Sequence, residues 1–254
     1  MTRQTYQGPG RRAGDNGRYG RLNRERVLLA ALGVVDSEGL SALSMRRVAA
    51  ELDVEAMALY RYTASKDGLL DGLVEALYIE LSDALAADSP GTGTRCGQTI
   101  AWRTEMNRIA QATRQVLLAH PHAAPLIATR MLAVPLARRP PAVLRADERV
   151  LSLLGDAGLD DGHASMAYQA ITAWILGYVF TELRVMVDDV DEPDPAIRLG
   201  LQHMPAQEFP HLRAMAPALA VHGGPPGLST GLDALLDCFV APYAEQDGSG
   251  AHRS

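Results

Sequence analysis

Residues 45–62 read Met45-Arg46-Arg47-Val48-Ala49-Ala50-Glu51-Leu52-Asp53-Val54-Glu55-Ala56-Met57-Ala58-Leu59-Tyr60-Arg61-Tyr62. The pattern is helix, tight turn, helix. Val48, Leu52 and Val54 fall where they can pack between the two helices. Ala49 is small where the second helix must come close, and Leu59 closes the apolar contact from that second helix. Asp53 occupies the turn position that favours left-handed backbone, which Asp tolerates less well than Gly. This spacing suits a helix-turn-helix, whose second helix enters the major groove of DNA. It suits an ordinary helical hairpin equally well, and spacing alone does not separate the two.

The flanks are helical as well. Upstream, Val27, Ala30, Ala31, Val34 and Val35 recur at helical spacing over 24–37, with Asn23 as N-cap and Gly39 as stop. Ser44 caps the second helix, 45–52, and the third covers 55–62. A fourth follows Ser65 and runs to Ala86 with Leu69, Leu70, Leu73, Leu77 and Leu81 as its stripe. After the Pro/Gly linker 88–93, a helix over 98–119 places Trp102, Met106, Ile109, Thr113, Val116 and Leu117 on one face, and Pro121 stops it. Short helical pieces lead to Leu136, and a helix over 141–156 ends before Gly158. The next, 161–187, is apolar around nearly its whole girth from Ala164 to Phe180, which predicts burial on several sides. An acidic loop covers 188–195, 205–220 is weakly helical, Gly223-Gly224-Pro225-Pro226-Gly227 reads as a break, and a last helix spans 228–243. No strand-like alternation and no hairpin turn between β-branched runs occurs, so the fold class is all-α.

The 254 residues, 47% of them hydrophobic, suffice for a sizeable core. No run of eighteen apolar residues is present, and the polar N-terminus has no secretory h-region, so the cytoplasm is the expected location. Cys96 and Cys238 stand too far apart in sequence for a Cys-Cys metal motif, and a disulfide framework is not expected. The net charge of −6 hides a split. Residues 1–70 carry 11 basic and 8 acidic side chains, and residues 71–254 carry 13 and 22. A basic front on an acidic body suits contact with a polyanion, and equally suits chance surface scatter.

Catalysis has no constellation behind it. Among seven His there is no His-x-x-x-His pair, and neither Gly-x-Ser-x-Gly nor a phosphate-cradling Gly-rich loop occurs. His120-Pro121-His122 has a metal-like look, against which the family resemblance that follows implies a capping or core role for His120. No cofactor and no metal are expected.

The segment from Asn23 to Leu81 resembles the DNA-binding domain of the TetR family of bacterial transcriptional repressors. The resemblance rests on the Ala30-Ala31 helix ending at Gly39, on Leu43-Ser44-Met45-Arg46-Arg47-Val48-Ala49 and on Leu52-Asp53-Val54. It rests further on Leu59-Tyr60-Arg61-Tyr62 and Ser65-Lys66-Asp67-Gly68-Leu69-Leu70, whose Leu-Tyr-x-Tyr block with Lys four residues later is a specific signature. Asp53 departs from the family's usual Gly. His120-Pro121, Thr129-Arg130, Gly158-Leu159 and Ile175-Leu176-Gly177-Tyr178 are similar, more weakly, to the tetracycline-repressor branch of the C-terminal domain.

The resemblance implies a helix-turn-helix three-helix domain joined to a larger helical ligand-binding and dimerisation domain. The implied units are a basic tail (1–20), the DNA-binding domain (21–66), the ligand-binding domain (67–244) and a disordered tail (245–254). Ser44 and Arg46 would meet phosphate or a base edge, and Ala56, Met57 and Ala58 would face thymine methyls in the groove. Tyr60 and Tyr62 would hydrogen-bond phosphates, although Tyr60 also suits the small domain's core. Arg61 would reach a base or the backbone, Lys66 a phosphate, and Arg47 would be a solvated surface charge. Arg3, Arg11, Arg12 and Arg18 of the tail would form an arm along the DNA, or an extended start without a role.

Helices 161–187 and 228–243 would form a four-helix interface in a homodimer, with Leu236 inside it. The ligand would sit among Trp102, Met106, Ile109 and Thr113 on one side and Val150, Leu151, Tyr168, Thr172 and Trp174 on the other. Where the tetracycline branch binds magnesium through His, this chain has Ser82 and Leu126 or Ile127, which argues against a metal-chelate ligand. A neutral or weakly polar, aromatic or polyketide-like molecule is expected instead. The partners expected are thus operator DNA, a small-molecule inducer and a second copy, with no membrane. A helical ligand-binding or interaction protein without operator binding is the alternative, and an enzyme ranks last.

Overall fold

In the computed structural model, which describes residues 22–87, 98–188, 205, 207–220 and 223–247, every element among the described residues is a helix. The tail 1–20 and the linker 88–93 lie outside the described residues. Helix α1 (Arg24–Glu38) starts where Asn23 Oδ1 accepts the Arg26 N–H at 2.8 Å. It ends at Gly39, whose φ of +81° only glycine adopts without strain. A short 3₁₀ turn (Leu40–Ala42) leads to α2 (Met45–Glu51), capped by Ser44, whose Oγ accepts the Arg47 N–H at 3.1 Å. Asp53 takes φ +54°, the left-handed turn expected there.

Helix α3 (Ala56–Leu59) is a single turn, shorter than the pattern predicts. One turn has no stability of its own. Leu59, fully buried with Val48 and Ala49, pins it against α2, and burying a leucine contributes about 1.5–3 kcal/mol.

Helix α4 (Lys66–Ala87) begins at Ser65, whose Oγ accepts the Gly68 N–H at 3.1 Å. It crosses α1 closely. A Cβ at Gly72 would stand 2.3 Å from Leu28 Cδ2, so glycine sets that approach. Helices α5 (Gln98–Ala119), α6 (Ala124–Ala133), α7 (Pro141–Asp156), α8 (Asp161–Asp188), α9 (Pro210–Ala220) and α10 (Gly224–Asp247) complete the chain. Helix α4 packs on both α5 and α7, and α8 packs on α7 and α10. A single apolar core runs through both units, from Val27 to Leu236.

Four expectations need correcting. The presumed break at 223–227 is the first turn of α10, because Pro225 and Pro226 sit where a helix needs no N–H of theirs. The same helix runs through Asp247, past the start of the presumed tail. Within one chain, α8 is buried on one side only. Ala164, Ala167, Ile171, Ile175, Val179 and Leu183 face inward, while Met166, Gln169, Ala173, Gly177 and Thr181 are exposed. Leu236, expected in a subunit interface, is fully buried inside its own chain.

Candidate functional site

Two sites emerge, one on the helix-turn-helix and one in the core. On the first, Ser44, Arg46, Met57, Tyr60, Arg61 and Lys66 are all exposed, with Ala56 and Ala58 half-buried beneath them. Met57 is 72% exposed, an unusual state for a methionine with a core beside it. The charges of Arg46, Arg61 and Lys66 have no ion pair among the described residues. Other nearby arginines do: Arg24 meets Glu75, and Arg47 meets Glu38 at 2.6 Å and Glu51 at 2.9 Å. Arg47, expected as a free surface charge, therefore ties α2 to the end of α1.

Tyr60 is exposed rather than core. Tyr62 is half-buried and its hydroxyl donates to the Leu22 carbonyl at 2.7 Å, so a phosphate at Tyr62 would have to replace that bond. Among the described residues Ser44 Oγ only accepts, from the Arg47 N–H, and its hydroxyl proton meets no acceptor.

The second site is a small cavity of about 80 Å³ between α4, α5, α7 and α8, closed by Ile127 of α6. Of the residues expected around a ligand, Met106, Ile109, Thr113, Val150, Tyr168 and Thr172 line it. Three expected residues do not. Trp102 is buried in core a turn before Met106. Leu151 points off α7's outer face, 37% exposed, because it lies about 100° around the helix from Val150. Trp174 turns to α10, where its indole N–H donates to Leu228 O at 3.3 Å and Gly231 leaves room for the ring.

Tyr78 and Asp147 line the cavity and were missed. Asp147 had a legible signal: it lies on the same helical face as Val143, Val150 and Leu154, a carboxylate in an apolar row. Tyr78 had none, because it flanks the stripe of α4. An outer groove between α4 and α7 shares Tyr78, Leu81, Ile109 and Ala146 with the cavity, and Ser82 lies there.

Two contacts tie the cavity's helices to the helix-turn-helix unit. Arg130 of α6 reaches the first turns of α4, with Nε on Asp71 Oδ1 at 2.9 Å and Nη2 on Asp67 O at 2.9 Å, beside Lys66. His120, after α5, bridges Asp36 of α1 through Nδ1 at 2.7 Å and Glu80 of α4 through Nε2 at 2.9 Å. His122 Nδ1 faces the carbonyls of Val35 and Asp36. The expected capping or core role of His120 gives way to this ionic bridge. Among the described residues, no group of three or more His, Cys, Asp or Glu is placed to hold a metal ion.

Burial, the largest single influence on His120, disfavours its charge. The hydrogen bonds and charges of Asp36 and Glu80 outweigh it, and the pKa lies above 6.5. Both ring nitrogens meet carboxylates, so the charged form satisfies both and the neutral form only one. A raised pKa contributes stability that is complete below the unfolded value and lost as pH rises through the folded one. Thermal melts between about pH 6 and pH 9 should therefore show a steeper loss of Tm in the wild type than in His120→Phe. Parallel profiles would remove the bridge from the account.

Comparison with known proteins gives two family models that match the chain. "Bacterial regulatory proteins, tetR family" matches residues 27–73, and "Tetracyclin repressor-like, C-terminal domain" matches residues 97–238. An HTH-type transcriptional regulator of Saccharopolyspora erythraea is 31% identical over 63% of this chain and 61% of its own length. The HTH-type transcriptional repressor DrrR1 of Streptomyces coeruleorubidus is 32% identical over 64% of this chain and 54% of its own. The chain thus spans less than two thirds of the length of these relatives. The structure of the Streptomyces coelicolor TetR family protein ActR in complex with actinorhodin superposes with a TM-score of 0.68 at 25% identity, covering 88% of this chain and 99% of that one.

Proposed function

We propose that this chain, which belongs to the tetR family of bacterial regulatory proteins, is a cytoplasmic homodimeric repressor that leaves a palindromic operator when a small molecule fills its core cavity. The observation that carries the reading is the exposed face of Arg46, Met57, Tyr60, Arg61 and Lys66 on the helix-turn-helix, whose cations have no ion pair among the described residues while neighbouring arginines are engaged. Two copies of that face, related by two-fold symmetry, read half-sites about one helical turn apart or slightly more. No helix among the described residues is long and apolar enough to cross a membrane.

Release needs a ligand that binds one arrangement of the protein better than the other. Helix α4 is the element both sites share. Lys66 starts it, and Leu77, Tyr78 and Leu81 line the cavity some 16–22 Å further along at 1.5 Å per residue. A change of tilt at the cavity is carried to the DNA-facing end, where Arg130 grips Asp67 and Asp71. The apolar wall suits a neutral or weakly polar, aromatic or polyketide-like ligand. Actinorhodin bound to ActR, a structural neighbour, supports that class. Ile127 in the wall and Ser82 in the outer groove offer nothing like a magnesium-binding imidazole.

Fluorescence-anisotropy titration with the promoter beside the chain's own gene tests the reading. Lys66→Ala should weaken binding to every sequence alike and flatten the salt slope by about one per subunit, because it removes a phosphate contact. Met57→Ala should instead reorder the preference among operator variants. A Lys66→Ala variant with altered preference and an unchanged salt slope would overturn the assignment. No binding to any promoter fragment at low salt would favour an interaction protein.

A further inference from the structure

The cavity's polar groups gather at one place. Tyr168 donates to Asp147 Oδ1 at 2.6 Å, and Arg139 Nη1 donates to Asp147 Oδ2 at 3.3 Å. Thr172 lines the cavity beside Tyr168, and Tyr78 lies close enough to feel the charges of Asp147 and Arg139. Thr113, by contrast, spends its proton on Ile109 O, so it offers no donor to a ligand. The rest of the wall, with Leu77, Leu81, Met106, Ile109 and Ile171, is apolar.

We propose that Asp147, held by Tyr168 and Arg139, selects the ligand: an uncharged, largely apolar molecule that donates a hydroxyl hydrogen bond to Asp147, with carboxylates excluded by the same side chain. This rests on the cavity being the ligand site.

The physical reasons are three. Each Asp147 oxygen uses one lone pair on its present partner and retains capacity for a further donor. Its side chain is only 12% exposed and Arg139 only 18%. In that setting a carboxylate brought against Asp147 meets a like charge with little screening, and an ammonium meets Arg139. A neutral donor meets neither penalty. Burial foremost, and then the Asp147 charge, push the Tyr78 and Tyr168 hydroxyls above the ordinary phenol range. Both remain neutral, and the Asp147–Arg139 pair is balanced.

Three soluble probes of one shape test this by ligand-detected NMR titration: 4-ethylphenol, ethylbenzene and 4-ethylbenzoate at neutral pH. The Thr113→Trp variant serves as a blocked-cavity control. The wild type should bind the phenol about tenfold more tightly than the benzoate, and several-fold more tightly than ethylbenzene. Asp147→Asn leaves Arg139 without its countercharge, so the order of phenol and benzoate should reverse. Equal binding of phenol and ethylbenzene by the wild type, or an unchanged phenol-to-benzoate ratio in Asp147→Asn, overturns the proposal. The wild-type comparison decides by itself should the variant fail to fold. Failure of all three probes at millimolar concentration overturns both this proposal and the cavity reading. Selective phenol binding that does not release the operator upholds the selectivity and overturns only ligand-driven release.

Discussion

Ala173→Arg is expected to convert the protein to monomers and lower operator affinity by about 10²–10⁴-fold, with circular dichroism unchanged. The residue sits on the outward face of α8, exposed between Met166, Gln169, Gly177 and Thr181. These side chains are small or only moderately polar, and nothing stands within 4 Å of where a Gly177 Cβ would be. A long helix with such a face is suited to pack against its own copy in a bundle. In a dimer the new guanidinium would be buried without a partner, which costs several kcal/mol. In a monomer it would simply be solvated. Leu236→Arg does not make this distinction, because Leu236 is fully buried in its own chain and the charge would disrupt the fold. Light scattering at micromolar concentration is the check. Wild-type monomers, or a variant that stays dimeric, would sink the interface.

Thr113→Trp should abolish the response to ligand while leaving operator binding nearly intact. Thr113 is half-buried on α5 and lines the cavity opposite Val150 and Tyr168. An indole there takes the space a ligand needs, at an overpacking cost of about 1–3 kcal/mol where it exceeds the void. The residues proposed to face an operator stand on or beside α2, α3 and the start of α4, away from Thr113 near the middle of α5. Anisotropy with and without a ligand that releases the wild type separates the two effects. Normal release by the variant would place the pocket elsewhere.

Local chemistry was legible in the chain. The caps Asn23, Ser44 and Ser65, the stop at Gly39 and the left-handed Asp53 each act on backbone groups within a few residues, so they read directly from the letters. The spacing of Val48, Ala49 and Leu59 is a two-helix contact across one tight turn, and burial follows it. The helix-turn-helix and the all-α class rest on such short-range terms. Which apolar positions enclose a void does not. Met106 and Trp102 share one face of α5, and only Met106 reaches the cavity. Trp174 and Tyr168 both stand on α8, and Gly231, 57 positions beyond Trp174, draws the indole to α10. A cavity is where four helices fail to fill the space between them, a joint property of their crossing distances that no periodicity contains. The ionic ties are likewise tertiary: His120 meets Asp36 across 84 positions and Glu80 across 40, and Arg130 meets Asp71 across 59. Their partners became neighbours only when α1, α4 and the α5–α6 turn packed together, because a charge pair at such separations has no local backbone geometry to announce it.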